Sequence, residues 1–486
     1  MTFISKINLL QDIFQRTYGR SADSITPLPK SGSYREYFRI YSGNFTAIGV
    51  LNTDRKENEA FLEFTRHFLE KGLNVPAIEA EDLENNVYLL SDLGDTTLFS
   101  YLIDIREGEV FPQRLTDIYK RIVEALPGFQ IRGNEGLNYS KCYPRSRFDK
   151  QSMMWDLSYF KYYFLKLAKI PFDEQLLEDD FQRFSDHLLT ENSDYFMYRD
   201  FQSSNVMLKG DELYFIDYQG GRKGALQYDL ASLLFDAKAD IPANVRELLL
   251  NHYLKSLGSW HPVDEKKFRE YYYDFVLIRL LQAMGAFGFR GFYEKKAQFL
   301  QSIPYAIKTM DELLKNHITG NRFPYLVKVL NTMIDAPELK QFIGRRDSAG
   351  QLQVEINSFS YRRGIPVDLS ENGGGFVFDC RAILNPGRME EYKDLNGNDP
   401  AVIEFFRNHT NADIFINDSF RIIDHVISEY LSKKYTRLML NFGCTGGQHR
   451  SIYCSEQIKK LLQKTYKDRI DIILNHREQE YKKLGI

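Results

Sequence analysis

Between Met197 and Leu234 three polar side chains stand at fixed intervals among short apolar runs: Asp200, Asn205 and Asp217. Phe196-Met197-Tyr198 reads as a strand that ends just before Asp200. Val206-Met207-Leu208 and Leu213-Tyr214-Phe215-Ile216 flank Lys209-Gly210-Asp211, a hairpin signal, and the second run delivers Asp217. This reading puts two carboxylates and one carboxamide at the ends of three adjacent short strands. Phosphoryl transfer uses that set: one carboxylate orients the attacking hydroxyl, and an Asn with a second Asp holds Mg²⁺ on the nucleotide phosphates. The plainer alternative is an acidic loop between strands, with Asp229 capping the helix that follows. The ordered set of three favours phosphoryl transfer.

A second chemical stretch lies near the other end of the chain. Arg437-Leu438-Met439-Leu440-Asn441-Phe442 reads as a buried strand. It is followed by Gly443-Cys444-Thr445-Gly446-Gly447-Gln448-His449-Arg450-Ser451 and by a helix to about Leu462. Strand, glycine-rich loop and helix make an anion site, because loop amides and the helix N-terminus face the ligand. His449 and Arg450 add charged donors. Gly446-Gly447 alone would mark a tight turn. Cys444 to Arg450 also satisfies C-x5-R, the loop of a cysteine phosphatase, which needs a thiolate nucleophile and a general acid. Gly443 stands where that signature usually has His, and the nearest acid is Asp379 at a strand end, so the loop is read as one that binds without hydrolysing.

The elements that must position these groups follow from the rest of the chain. Its 486 residues suggest two or three domains, and 43% hydrophobic with 27% charged residues is an ordinary composition able to bury large cores. A net charge of -3 gives no global attraction to nucleic acid. No apolar run reaches transmembrane length, and no basic-then-apolar leader opens the sequence, so no membrane partner is expected. Four cysteines, Cys142, Cys380, Cys444 and Cys454, give neither a disulfide scaffold nor a C-x-x-C zinc spacing, and the reducing cytoplasm is the expected compartment.

Apolar spacing up to Gly19 predicts a helix. Leu28 to Arg35 is turn-rich and leads into Tyr37-Phe38-Arg39-Ile40-Tyr41, with Thr46 to Leu51 the next strand. Strand, small-residue turn and strand can fold over phosphates, or form a plain hairpin. Val87 to Asp95 reads as a last strand and a hinge. Thr97 to about Asn316 is mostly helical, with an aromatic run from Met153 to Leu165 that serves either as core or as a sugar-stacking wall with Asp156 on hydroxyls. The expected boundaries are 1–96 for a first lobe, 97–338 for a helical lobe, 339–351 for a polar linker and 352–486 for a separate α/β domain.

The order Asp200, Asn205, Asp217 matches the H-x-D-x-x-x-x-N loop and hydrophobic-Asp element of the protein-kinase-like fold, with Tyr198 in place of His and no Gly after Asp217-Tyr218. The stretch resembles the aminoglycoside phosphotransferase family, and most of all the anomeric N-acetylmuramate/N-acetylglucosamine kinases of cell-wall recycling. Ile216-Asp217-Tyr218-Gln219, Tyr228-Asp229-Leu230-Ala231-Ser232-Leu233, the S-x-R-x-Y-F-R run from Ser33 to Arg39, and Leu89-Leu90-Ser91-Asp92-Leu93-Gly94-Asp95 carry that resemblance. It implies a two-lobed α+β protein-kinase-like domain, ATP and Mg²⁺ as cofactors and an amino-sugar acceptor. It further implies Asp200 as base and Asn205 with Asp217 on the metal. Ser33, Tyr34, Arg35, Asp92 and Leu93 would lie on the nucleotide side, Asp156 and Arg199 on the acceptor side. The strand Thr46 to Leu51 lacks the usual Lys, so phosphate charge falls to Arg35, Lys30 or Arg39. Glu57 and Glu59 on the following helix show no evident partner.

The last domain resembles the C-terminal domain of the RNase adapter family RapZ, in which a G-C-T-G-G-x-H-R-S loop binds glucosamine-6-phosphate. Phe378-Asp379-Cys380-Arg381, Asn385-Pro386, Leu395-Asn396-Gly397-Asn398-Asp399 and His476-Arg477 also fit. The resemblance implies a phosphosugar site made of Asp379, Arg381, Cys444, Thr445, Gly446, Gly447, His449, Arg450, Ser451 and His476, and an RNA or protein partner. A non-catalytic phosphosugar sensor is the competing reading of the whole chain.

Overall fold

The computed structural model describes residues 2–29, 35–106, 111–318, 321–336, 339, 342, 351–368 and 374–483. They fold as two compact units, Met1–Ala286 with Tyr305–Ile334, and Phe287–Pro304 with Asp335–Ile486. Residues 287–304, placed with the helical lobe by the sequence, therefore cluster with the second unit.

The first unit opens with helix α1 (Phe3–Tyr18) and a five-stranded antiparallel sheet of β1 (Ser24–Pro27), β2 (Glu36–Ser42), β3 (Phe45–Leu51), β4 (Ile78–Asp82) and β5 (Val87–Ser91), in the order β1-β2-β3-β5-β4. Alternation sends Phe38, Ile40, Ala47, Leu51, Val87 and Leu89 to the face that packs on Leu10, Ile13 and Phe14 of α1. Gly49 is required there, since a Cβ would stand 2.4 Å from a methyl of Leu10. Helix α2 (Arg55–Glu70) starts at Asp54, whose carboxylate accepts from the amide of Glu57. Its buried Phe61 stacks between Tyr88 and Tyr218, at 5.5 and 5.3 Å between centroids, which ties α2 to the segment after Asp217.

The helical lobe contains α3 (Leu98–Ile105), α4 (Gln113–Pro127), α5 (Lys150–Tyr159), α6 (Glu174–Leu188), α7 (Leu226–Leu234), α8 (Ala243–Gly258) and α9 (Glu265–Phe287), followed by α10 (Ala297–Leu300), α11 (Ile303–Asn316) and α12 (Pro324–Asp335). Every residue of α7 is buried, so the lobe is built around it. The span Glu265–Tyr293 is long and apolar enough to cross a bilayer, but 61% of its most apolar window is buried inside the protein, which marks a core helix. The short strands do not form one three-stranded group. β6 (Tyr195–Met197) pairs with β9 (Arg222–Gly224), and β7 (Val206–Lys209) pairs with β8 (Glu212–Phe215) through the expected turn at Gly210, φ 61°. The strand β9, three residues long, carries no pattern that sequence periodicity detects.

The second unit holds a parallel four-stranded sheet in the order β11-β12-β10-β13, made of β10 (Leu352–Ser360), β11 (Phe376–Asp379), β12 (Arg437–Cys444) and β13 (Ile470–His476). Helices α13 (Pro400–His409), α14 (Ala412–Ser432), α15 (Arg450–Tyr466) and α16 (Arg477–Lys483) complete it. Leu352, Val354 and Ile356 join Leu438, Leu440 and Phe442 in a core with Ile423, Ile427, Ile458 and Leu462. On the opposite parity Asn441, Asn357 and Asn475 form a buried ladder of side-chain hydrogen bonds at 3.1 and 3.0 Å across three strands. Those bonds satisfy amides that would otherwise be costly inside a parallel sheet.

Candidate active site and a second carboxyl-edge site

Asp200, Asn205 and Asp217 converge. The Asn205 side-chain amide donates to the Asp200 carbonyl at 2.8 Å and to the Asp217 carboxylate at 3.4 Å. With Nδ2 so committed, Oδ1 of Asn205 accepts from the Ser204 hydroxyl at 3.5 Å. The Asp217 backbone is left-handed, φ 70°, a strained state for a non-glycine residue that the surrounding bonds must hold. Burial, then the neighbouring charge of Asp200, push its carboxyl above the ordinary range, while Gln219 donates to it at 2.7 Å. Two facing carboxylates with an amide oxygen are a hard-oxygen donor set, and a divalent cation there relieves their repulsion; the residues fit Mg²⁺.

Tyr198, which replaces the His of the kinase-like loop, is 1% exposed and donates its hydroxyl to the Ile216 carbonyl at 2.6 Å. It thereby joins the base loop to the residue before Asp217. Asp229, a helix cap only in the plainer alternative, accepts from the amides of Tyr198 and Arg199, at 2.7 and 2.9 Å. Burial pushes its carboxyl up to about 7 against the pull of those amides. Arg199 sits at φ 81°, a second strained residue beside Asp200.

Arg35, 3% exposed at the start of β2, pairs with Glu57 of α2 at 2.9 Å and reaches within 4.0 Å of Asp217. Asn52 donates to the other oxygen of Glu57 at 2.8 Å. The partner of Glu57 comes from a strand preceding the expected one, so no local spacing signalled it. Arg39 is committed elsewhere, to Asp92 and Asp95 at 2.8 Å each. The Asp92 carboxylate thus braces the hinge, its carbonyl accepts from Lys209 at 2.9 Å, and Leu93 is buried. Lys30, Ser33 and Tyr34 lie outside the described residues. On the other side Arg199 and Asp156, both expected at the acceptor, form an ion pair at 2.7 Å, and Arg199 also donates to the Tyr228 hydroxyl at 2.9 Å.

In the second unit the carboxyl ends of four parallel strands bring Asp379, Cys444, Ser360 and His476 to one edge. Gly447 has φ 64°, and a Cβ would meet Glu478 at 2.3 Å and the Ser360 amide at 2.8 Å, so only glycine fits. The buried thiol of Cys444 lies 3.2 Å from the Ser451 hydroxyl. The basic residues are less free than the sequence suggests. Nη1 of Arg450 donates to the carbonyls of Arg381 and Ile383, at 2.9 and 3.1 Å, and its Nε is buried without a partner. His449 contacts the Tyr392 carbonyl at 2.8 Å. Both nitrogens of His476 are engaged, with Ser358 at 2.9 Å and Glu456 at 3.2 Å. The expected donors Arg450, His449 and His476 thus hold the loop walls together. Thr445, Gly446 and Gly447 keep the helix N-terminal loop ahead of α15, with Arg381 paired to Asp379 at 2.6 Å beside it.

Residues 24–265 match the model of the phosphotransferase enzyme family, and residues 352–480 match that of the RapZ C-terminal domain. A nucleotide-binding protein of Thermotoga neapolitana is 29% identical over 151 residues, 31% of this chain and 51% of that protein. One from Solibacter usitatus is 35% identical over 130 residues, 26% and 39% respectively. The chain therefore spans about half the length of such curated relatives or less. Solved structures similar to it include choline kinase LicA from Streptococcus pneumoniae, at 15% identity and TM-score 0.40, covering 68% of this chain and 99% of that one. Spectinomycin phosphotransferase APH(9)-Ia matches at 12% identity and TM-score 0.41, covering 67% and 98%.

Proposed function

We propose that this chain, which joins a domain of the phosphotransferase enzyme family to a RapZ C-terminal domain, transfers the γ-phosphoryl group of ATP to a hydroxyl of an amino sugar of the N-acetylglucosamine or N-acetylmuramate class. The observation that carries the reading is the bracing of Asp200, Asn205 and Asp217 by Tyr198 and Asp229 into one strained constellation. Asp200 accepts the acceptor's hydroxyl proton as its oxygen attacks the γ-phosphorus. The bond to the β–γ bridging oxygen breaks, and ADP leaves with the electron pair. Asn205 and Asp217 would hold Mg²⁺, which neutralises phosphate charge. Arg35, fixed by Glu57, places a guanidinium on the phosphate side. The acceptor class rests on the resemblance of both domains to proteins of amino-sugar metabolism.

In the second unit we assign the Cys444–Ser451 loop to binding a phosphosugar such as glucosamine-6-phosphate, with an RNA or protein partner reading the loaded state. Phosphatase chemistry is disfavoured on a specific ground. Asp379, the acid expected from the sequence, is held below the usual carboxylate range by its bond to Arg381, and an ionised carboxylate cannot protonate a leaving oxygen.

The test is a product analysis by ³¹P NMR with Mg²⁺-ATP and a panel of amino sugars, choline and an aminoglycoside. Phosphorylation of a hexosamine, lost by orders of magnitude in Asp200→Asn with ATP binding retained, is expected. Activity confined to choline or the aminoglycoside refutes the acceptor class.

A further inference from the structure

One buried helix grips the catalytic loop at both ends. At the base end Asp229, in the first turn of α7, accepts from the amides of Tyr198 and Arg199. At the metal end Ser203, 0% exposed, donates its hydroxyl to the carboxylate of Asp236, two residues past the end of α7. The two carboxylates are seven positions apart, about two helical turns. Because every residue of α7 is buried, the helix is a fixed ruler between them. A hydroxyl bonded to a carboxylate makes one of the stronger hydrogen bonds, so the Ser203 contact is an anchor and not an incidental touch.

A second brace reaches the metal end from α9. Arg279, 9% exposed, directs all three of its nitrogens at side-chain oxygens: Nε at Ser232 of α7 at 2.9 Å, Nη1 at Gln282 at 2.6 Å and Nη2 at Gln202 at 3.4 Å. These bonds join α7, α9 and the loop. Gln202 and Ser203 in turn bear directly on Asn205. The backbone amide of Asn205 donates to the Gln202 carbonyl at 2.9 Å and closes the short turn Ser203–Asn205. The Asn205 carbonyl then accepts from the Ile216 amide at 3.0 Å. A shift of Gln202 or Ser203 therefore moves Asn205, while the bonds of Asp229 to the other end of the loop are left in place.

We propose that Ser203, Asp236 and Arg279 are positioning residues that set the place of Asn205, and so the affinity of the site for Mg²⁺, separately from the Asp229 bonds that orient the base. The inference rests on the kinase reading and divides its catalytic loop into a base end and a metal end with different supports. Partners standing behind a metal-holding side chain fix its orientation, and their removal weakens the metal before it touches the chemistry.

The experiment reads metal binding apart from turnover. The full chain is melted with ADP in EDTA and with ADP over a series of Mg²⁺ concentrations, followed by the fluorescence of Trp155 and Trp260, both in the first unit. The same Mg²⁺ series is run in a coupled kinase assay. Ser203→Ala, Asp236→Ala, their double variant and Arg279→Lys are compared with wild type, and Asp236→Asn keeps an oxygen for the Ser203 hydroxyl. Ser203→Ala and Asp236→Ala should each leave the melting-temperature rise from ADP alone unchanged. Each should move the Mg²⁺ midpoint upward by roughly 10-fold in both measurements and regain turnover at saturating Mg²⁺. The double variant should match the stronger single, because both substitutions cut the same bond. Asp236→Asn should stay near wild type. Arg279→Lys keeps the charge but cannot bridge three oxygens, and should move the midpoint in the same direction. Ser203→Ala removes a single oxygen and decides the question if the Asp236→Ala chain does not fold. Mg²⁺ midpoints that do not move in the variants overturn the inference and leave the kinase reading standing, as does a double variant that loses the sum of the singles. Midpoints that move in the melting series, without phosphate transfer to any acceptor by wild type, overturn the kinase reading and leave the inference standing. Wild type in which Mg²⁺ adds nothing to ADP overturns both.

Discussion

Asp229→Asn separates the energetic from the positional role of one buried carboxylate. In the folded chain Asp229 is 0% exposed, and its two oxygens accept separately, one from the Tyr198 amide and the other from the Arg199 amide. The substitution turns one oxygen into an NH₂ group facing an N–H donor. Where the carboxyl is ionised, one charge-assisted bond is lost, about 1.5–3 kcal/mol, and an amide is left buried without a partner, a further ~1–3 kcal/mol; where it is protonated, its hydroxyl already stands where the variant's NH₂ group would. Against this stands the cost of burying the charge. A rise from the ordinary 3.8 to about 7 corresponds to about 4 kcal/mol carried by the folded state at neutral pH and absent from the variant. Because the folded carboxyl binds its proton more tightly than the unfolded one, its contribution is fully favourable below pH ~4 and is lost as pH rises to ~7. The variant should therefore be close to wild type near pH 4.5, where both side chains are neutral, and should gain on it by about 3 kcal/mol by pH 7.5. Turnover should fall by about 10- to 100-fold at both, because the loop that carries Asp200 loses one of its two anchors. Urea unfolding followed by tryptophan fluorescence reads the stability of the first unit selectively, since both tryptophans, Trp155 and Trp260, lie in it. A stability difference that is the same at pH 4.5 and 7.5 would refute the claim that this carboxylate titrates between them. Unchanged turnover would refute its role in holding the loop.

Tyr198→Phe removes the hydroxyl that bonds the Ile216 carbonyl and should cost about 1–2 kcal/mol in urea unfolding and lower kcat without raising KM for ATP. A rise in KM for ATP with normal kcat would place Tyr198 outside the link between base and metal loops. Arg35→Ala frees Glu57 and should raise KM for ATP at least 10-fold, with Arg35→Lys recovering part of it in the same coupled assay. In the second unit glucosamine-6-phosphate should raise the melting temperature, and Cys444→Ser should preserve the rise. Gly447→Val should abolish it, because a side chain collides with Ser360 and Glu478.

What the sequence showed and what it hid divide along chain distance. Asp200, Asn205 and Asp217 fall within eighteen positions on two hairpin-forming runs, so their convergence was legible from spacing alone. The glycine-rich loop before α15 was legible for the same reason: strand, loop and helix are consecutive. The Arg35–Glu57 pair was not, because it forms across a hairpin and a helix start, and the sequence carries no record of which strand faces α2. Nor was the fate of Arg450. A basic residue at a helix start reads as an anion donor, and only the path of residues 381–383 above it reveals that two carbonyls take its Nη1. Tyr198 is the instructive case. As a departure from the kinase-like pattern it reads as a lost support, since a phenol cannot copy an imidazole atom for atom. A buried donor aimed at the carbonyl before Asp217 ties the two loops together, and here a tyrosine hydroxyl at 2.6 Å from Ile216 supplies it from among Phe129, Phe201 and Tyr218. The chemistry constrains the bond and its direction, and the residue type is free to change wherever the core can absorb the difference in volume.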